Sequence, residues 1–215
     1  RCDWSSDVCS SDLGAGVTSG GTFTWADQSE GGAGGHNATQ NTAGSQPTLQ
    51  TNVINGLPVV RFDGNDDSLQ IADHADIDIG QGVGKGFTAF AVYNSTASSA
   101  QCHLFGKRGT TFDYGVFNVS NRSRWYVADP AHQNALLASP GPFSILSYDM
   151  DQSGVDGTSG TTNIWVDGVA DNDNPQSYSG KVAQNDDPLF IGRHGAILSG
   201  YNLQGDLAEL IIFNT

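Results

Sequence analysis

Basic residues are scarce in this chain. Three lysines and six arginines stand against twenty-three acidic groups in 215 residues, for a formal charge of −14. The deficit excludes the broad basic face that duplex nucleic acid requires, because affinity there comes from neutralising phosphates. Glutamate is scarcer still: only Glu30 and Glu209 occur, beside twenty-one aspartates. Glycosidase chemistry needs two carboxyl groups at a set separation across the scissile bond, and Glu30 in a glycine-rich loop and Glu209 in an apolar strand do not supply them. No apolar run nears the ~20 residues of a membrane span. Zinc-type spacing is missing as well, since His36, His74, His103, His132 and His194 stand singly with no cysteine pair beside them.

Cysteine is nearly absent once the first thirteen residues are set aside. The segment from Arg1 to Leu13 resembles the translation of a sequencing-adaptor primer, of the kind found at the edges of assembled metagenomic sequence. Residues 1–13 are therefore expected not to be native, and residues 14–215 to form one domain. Without Cys2 and Cys9 only Cys102 remains, which excludes a disulfide framework. In Gln101-Cys-His-Leu-Phe-Gly106 it reads as a small buried hydrophobe. On the same reading a secretory leader is missing because the sequence is cut, and a secreted, extracellular protein is expected.

What the chain does have is short strand-like runs broken by turn residues. These are Thr22 to Trp25, Leu49 to Ile54, Leu57 to Phe62, Ser68 to Ala72, Phe87 to Tyr93, Cys102 to Gly106, Tyr114 to Val119 and Arg122 to Ala128. Phe143 to Tyr148, Thr162 to Val166, Leu189 to Arg193 and Leu203 to Asn214 follow. Asn55-Gly56 and Asp167-Gly168 between apolar runs are hairpin signals. Some dozen strands without a helical period predict an all-β, two-sheet antiparallel sandwich of the jelly-roll type. Ala26 to Gln46 reads as a polar loop. Alternation sets Val60 and Phe62 against Arg61, Ile164 and Val166 against Trp165, and Thr88, Phe90 and Val92 on one face. The four consecutive apolar residues Leu210 to Phe213 predict a closing strand buried on both faces.

Several of these strands resemble a known family. Gly56-Leu-Pro-Val-Val-Arg-Phe-Asp-Gly64, Phe87-Thr-Ala-Phe-Ala-Val92, Ile164-Trp-Val-Asp-Gly168, Leu189-Phe-Ile-Gly-Arg193 and Gly205 to Asn214 are similar to successive strands of a laminin-G-like domain. That domain belongs to the concanavalin A-like lectin/glucanase superfamily. Trp25-Ala-Asp-Gln-Ser29 and Asn37-Ala-Thr-Gln40 resemble its N-terminal region, so the resemblance covers about residues 22–214. It implies a jelly roll and a chain cut at its C-terminal end as well. It further implies a non-catalytic carbohydrate- or surface-binding module of a larger secreted bacterial protein, with other domains beside it. A structural adhesion or spacer domain is the alternative, and a polysaccharide-active enzyme is disfavoured by the carboxylate count.

Candidate chemistry follows from residue type. The strand Arg122-Ser-Arg-Trp-Tyr-Val-Ala128 alternates so that Arg122, Arg124 and Tyr126 share a face opposite Trp125 and Val127. Guanidinium forks pair carboxylate or sulfate groups bidentately, which makes these three residues the candidate site for an acidic polysaccharide or cell-surface glycan. The competing reading is a solvated face that neutralises nearby aspartates. Structural calcium is implied by the superfamily, and Asn65-Asp-Asp67 and Asp171-Asn-Asp-Asn174 are oxygen-rich loops that suit it. Asp149-Met-Asp-Gln-Ser-Gly154 matches half of an EF-hand loop but has Gly160 in place of its closing glutamate, which excludes that motif. His74 to Gly80 reads as a turn leading towards the Phe87 strand.

Overall fold

The computed structural model describes residues 9–11, 16–29, 35–78, 83–96, 102–108, 112–119, 122–127, 137–138, 143–154, 157–171, 174–180, 186–195 and 201–214. In chain order the strands are β1 (Cys9–Ser11), β2 (Val17–Thr18), β3 (Phe23–Trp25), β4 (Ala38–Gln40), β5 (Thr48–Ile54) and β6 (Leu57–Asp63). Next come β7 (Leu69–Ile71), β8 (Gly86–Ser95), β9 (Cys102–Arg108), β10 (Phe112–Val119), β11 (Arg122–Val127) and β12 (Leu137–Ala138). The last six are β13 (Ser144–Gln152), β14 (Ser159–Val166), β15 (Val169–Ala170), β16 (Gln176–Ser179), β17 (Leu189–Ile191) and β18 (Gln204–Asn214). Two 3-10 turns, Ala43–Ser45 and Ala75–Ile77, complete the described elements. Among the described residues no helix is long and apolar enough to cross a membrane.

The strands form two antiparallel sheets, each with nine described strands. The first runs β15-β14-β13-β8-β18-β6-β5, with β1 beside β18 and β16 beside β14. The second runs β12-β11-β10-β9-β17-β7-β4-β3-β2. Consecutive pairing is rare in the middle of both, since β18 lies between β6 and β8, and β17 between β7 and β9. This weaving of late strands among early ones is what a jelly roll requires. Asn55 (φ 51°) and Gly56 (φ 82°) both occupy the left-handed region, as do Asp167 (φ 51°) and Gly168 (φ 77°). Both are two-residue turns that match the twist of the strands they join.

The sheets bury a shared core between them. Trp25, Phe62, Phe87, Tyr93, Phe105, Tyr114, Trp125 and Tyr148 are almost wholly enclosed. Phe87 stacks on Trp125 at 5.4 Å, and Trp125 on Tyr148 at 5.5 Å. Cys102 is buried with its sulfur 3.5 Å from Ser95 Oγ, as expected of a small core residue.

Alternation places most side chains where the sequence predicts, with instructive departures. Along β8, Phe87, Ala89, Ala91 and Tyr93 face the core, and Thr88, Phe90 and Val92 form the outer face. The alanines point inward because the aromatic rings of the opposite sheet need the room. In β18, Leu210 and Ile212 are buried, but Ile211 and Phe213 are only half-covered on the outer face. The closing strand is thus not buried on both faces. Its outer apolar residues meet Phe90 instead, whose ring lies 6.2 Å from that of Phe213. The expected loop between residues 26 and 46 contains β4, which pairs with β3 and β7. Asp149 to Gln152 belong to β13 with Met150 in the core, so that half-motif is strand and not loop.

Candidate functional site

Two regions carry the chemistry. The first is a cleft of about 490 Å³ at one end of the outer face of the first sheet, lined by Thr48, Arg61, Asp63, Asn94, Thr96, Gln204 and Asp206. Thr48, Arg61, Asp206 and Asn94 sit on β5, β6, β18 and β8 in one continuous cross-strand row. Directly opposed residues approach within about 5 Å, so four strands deliver four polar side chains to one line. Arg61 donates Nε to Asp206 Oδ1 at 2.6 Å and Nη2 to Asp206 Oδ2 at 2.9 Å, a two-pronged fork. Asp206 is buried beneath it and Arg61 stays half-exposed. The carboxylate holds the guanidinium above its ordinary pKa, against the opposing effect of burial.

Glycine shapes the floor of this cleft. Gly205 (φ 152°) lies so close to β8 that a Cβ there would fall 2.0 Å from the carbonyl oxygen of Asn94. The wall beside it is the loop after β6. Asp63 accepts from the amides of Asn65 at 2.8 Å and Asp66 at 3.4 Å, which draws its carboxyl below the usual range, most through Asn65. Asp67 accepts from the Asp63 amide at 2.9 Å, yet burial pushes its carboxyl up to about 6, with Asp63 and Asp66 adding to the rise. Ligand atoms of Asp63, Asp66 and Asp67 lie within 4.8 Å of one another. This donor set of three carboxylates fits the hard-oxygen preference of calcium. At the other predicted loop, Asn174 spends its amide on the backbone of Ile164, accepting at 3.0 Å and donating at 2.7 Å. Residues 172 and 173 lie outside the described residues.

The second region is the outer face of the second sheet, which contains the arginine strand. Ser123, Trp125 and Val127 of β11 point into the core, as alternation predicts, and Arg124 is half-buried on the other side. Arg122 and Tyr126 occupy the alternate positions of the same strand, but their side chains lie outside the described residues. Arg124 stands across from Phe117, and Phe117 across from His103. His103 stacks on Phe117 at 5.1 Å and meets His194 edge-on at 4.1 Å. The Nη1 of Arg108 donates to Nε2 of His194. Arg193 lies 5.1 Å over the ring of Phe190. Gly195 (φ 50°) is where the loop touches β9: a Cβ there would lie 2.6 Å from the Arg108 carbonyl oxygen.

The result is an arginine and histidine cluster in an acidic protein. Burial and then Arg108 push the His194 imidazole down to about 4, and burial and His194 hold His103 well below its ordinary value. Both rings are therefore neutral at pH 7. Phe117 and Phe190 are each 7% exposed, so the aromatic rings here are covered rather than offered as a platform. The Nε of Arg124 is buried with no hydrogen-bond partner among the described residues.

Sequence spacing missed two assemblies. Arg61 and Asp206 are 145 residues apart, and only the strand order brings them together. The histidines do not stand singly in space either. Besides the pair of His103 and His194, the rings of His36 and His74 lie 4.7 Å apart. Glu209 sits beside the β-bulge at Leu207, on the outer face with Ile211.

Known structures share this architecture. Domain 4 of AbnA, a GH43 extracellular arabinanase from Geobacillus stearothermophilus solved with arabinotriose, aligns with a TM-score of 0.59 at 12% identity, over 97% of this chain and 92% of that one. A botulinum neurotoxin type C structure, described by cell entry dependent on two ganglioside molecules, aligns with a TM-score of 0.61 at 10% identity, over 97% and 47%. Trypanosoma rangeli sialidase, in complex with 2,3-difluoro-KDN, aligns with a TM-score of 0.59 at 10% identity, over 98% and 31%. The shared fold is a two-sheet antiparallel β-sandwich. This chain spans about a third of the sialidase and half of the toxin structure. No family model matches the sequence, and no curated protein matches it.

Proposed function

We propose that this sandwich is a non-catalytic carbohydrate-binding module of the laminin-G-like kind, working within a larger secreted bacterial protein. The observation that carries the reading is the cleft beside Arg61 and Asp206. It is large enough for a sugar unit or two, and its polar groups converge from four strands on rigid backbone. Asn94 and Gln204 offer amides that donate and accept, as hydroxyl recognition requires. Asp63, Asp67 and Asp206 outnumber the single Arg61 there, so a neutral glycan suits this cleft better than an anionic one. The sandwich neighbours solved with arabinotriose or linked to gangliosides support the same class of ligand. Of the three carboxylates at the cleft, Asp206 is held in its fork with Arg61, and Asp63 and Asp67 accept from loop amides, so binding is favoured over hydrolysis.

A glycan array followed by calorimetry on the best ligand tests the proposal. Asn94→Ala and Gln204→Ala are each expected to weaken binding about tenfold, roughly the value of one or two lost hydrogen bonds. Unchanged affinity in both variants, or no ligand on a broad neutral panel, refutes it in favour of a spacer or adhesion domain. Structural calcium belongs to the same reading, at Asp63, Asp66 and Asp67. EDTA should then lower the melting temperature and calcium restore it; indifference to both sinks the calcium.

A second reading rests on the Nε of Arg124, which has no hydrogen-bond partner among the described residues. We infer from it an acidic polysaccharide along β11, engaged by Arg122, Arg124 and Tyr126. Binding to sulfated or carboxylated glycans that survives Arg122→Ala with Arg124→Ala defeats it.

A further inference from the structure

We propose that His36, His74 and Asp76 hold a divalent transition-metal ion, zinc by the character of the ligand set, at one end of the sandwich. Their ligand atoms all lie within 4.8 Å of one another.

His36 is the decisive residue. It is 3% exposed, and its Nδ1 lies 3.1 Å from Asp27 Oδ2, whose side chain is fully buried. The other oxygen of Asp27 is fixed by the Ser29 amide at 2.9 Å. A neutral imidazole so placed donates from Nδ1 and leaves the lone pair on Nε2. That Nε2 is buried, has no hydrogen-bond partner among the described residues, and faces Asp76 Oδ2 at 3.6 Å. Two acceptors turned towards each other repel, and the buried Nε2 is left with an unsatisfied lone pair; a cation bound to both removes the cost. A carboxylate behind the imidazole is also the arrangement that orients metal-bound histidines and raises their basicity.

His74 repeats the conflict. Its Nδ1 lies 3.2 Å from the Asp76 amide nitrogen and 3.0 Å from Asp76 Oδ2. One ring nitrogen cannot accept from the first and donate to the second. Tetrahedral zinc with nitrogen and oxygen ligands at 2.0–2.2 Å sets ligand atoms about 3.3 Å apart. The separations of 3.0 and 3.6 Å to Asp76 Oδ2 bracket that spacing.

The backbone that presents His74 and Asp76 is held on several sides. Buried Lys107 donates to Asp73 and Asp78, Tyr114 Oη donates to the Ile77 carbonyl at 2.8 Å, and Asn214 Nδ2 donates to the Asp76 carbonyl at 3.2 Å. Burial would lower the Lys107 pKa, but the two carboxylates outweigh it and keep the ammonium charged. The side chains of His74 and Asp76 remain 47% and 55% exposed, so an ion can reach them. Two imidazoles with one carboxylate favour zinc over calcium, which takes oxygen ligands. Three protein ligands leave one coordination position for water or a ligand group.

The test uses the full chain, stripped with a chelator and titrated with Zn²⁺ by calorimetry and with Co²⁺ in the visible spectrum. One ion per chain is expected, with the intense absorption of tetrahedral Co²⁺. Loss of the outer carboxylate in Asp27→Asn should weaken Zn²⁺ binding about 10–100-fold, and His74→Gln or Asp76→Asn at least as much. The last two residues are exposed enough for folded variants, to be checked by circular dichroism. His194→Gln should bind Zn²⁺ as the unaltered chain does. Absence of stoichiometric binding, affinity unchanged by His74→Gln and Asp76→Asn, or affinity that follows His194 overturns the proposal. Zinc binding without any glycan binding would defeat only the preceding reading.

Discussion

The outer faces of the two sheets share a construction rule and differ in how their charge is handled. On the first sheet, Arg61 is already paired by the fork to Asp206, and the cleft around it is acidic. On the second, Arg108 meets the His194 imidazole and Arg124 stands across from Phe117. Bidentate pairing fixes a guanidinium and spends its donors, so the first face presents uncharged amides and hydroxyls at a settled geometry. The Arg124 Nε has no hydrogen-bond partner among the described residues, and a guanidinium donor left over in this way can turn to an incoming anion. The chain's few cations therefore serve two purposes according to what the sheet places opposite them.

The largest expected effect breaks the sandwich that both faces depend on. Trp125 alternates with Arg124 along β11 and is fully buried between Phe87 and Tyr148. Trp125→Ala should cost about 3–5 kcal/mol in denaturant unfolding, through lost burial and the cavity left behind. A cost below 1 kcal/mol would show that β11 is not packed as described. Next in size is Arg61→Ala, which leaves the Asp206 carboxylate buried without its fork. A loss of about 1–3 kcal/mol is expected, and Arg61→Ala combined with Asp206→Ala should recover part of it. A double variant less stable than Arg61→Ala alone would contradict the pairing.

These two variants also mark what was legible from sequence. The inward position of Trp125 follows from a period of two, and the hairpins at Asn55-Gly56 and Asp167-Gly168 follow from residues that tolerate positive φ. Local rules of that kind gave the strands and the sandwich class. They could not give the cleft, because the row from Thr48 to Asn94 exists only after β18 has inserted between β6 and β8. The approach of His36 and His74 was hidden for the same reason. Their spacing of 38 residues has no local meaning until β4 pairs with β7. The grouping of Thr88, Phe90 and Val92 on one face of β8 was legible from alternation, and the volume of the opposing rings accounts for small alanines taking the core side.

Arg124→Ala separates the two faces more gently. Its strand contacts are backbone pairs that survive the substitution, so the melting temperature should move little. Retention of the chain by an immobilised sulfated polysaccharide should fall severalfold, and more at low ionic strength than at high. Binding to a neutral ligand of the cleft should not change. If Arg124→Ala weakens neutral and acidic ligands alike, the two faces do not act separately.

The smallest effect is a difference of sign with pH. His194 titrates near 4 in the folded chain against an ordinary 6.5, so between those values the unfolded chain binds more protons. Its contribution to stability is intact above about pH 6.5 and lost as the pH falls towards 4. Asp67 is raised to about 6 from an ordinary 3.8, and there the folded chain binds the extra proton. Acidification from pH 6 to 4 therefore stabilises through Asp67 while it destabilises through His194. Melting curves across this window should resolve the two. Asp67→Asn removes the compensating gain, so its melting temperature should fall more steeply with acid than that of the unaltered chain. His194→Gln removes the loss, and its profile should flatten or rise. Profiles for both variants that run parallel to the original would mean that neither group titrates where its surroundings place it, and the electrostatic contrast between the two faces would fail with them.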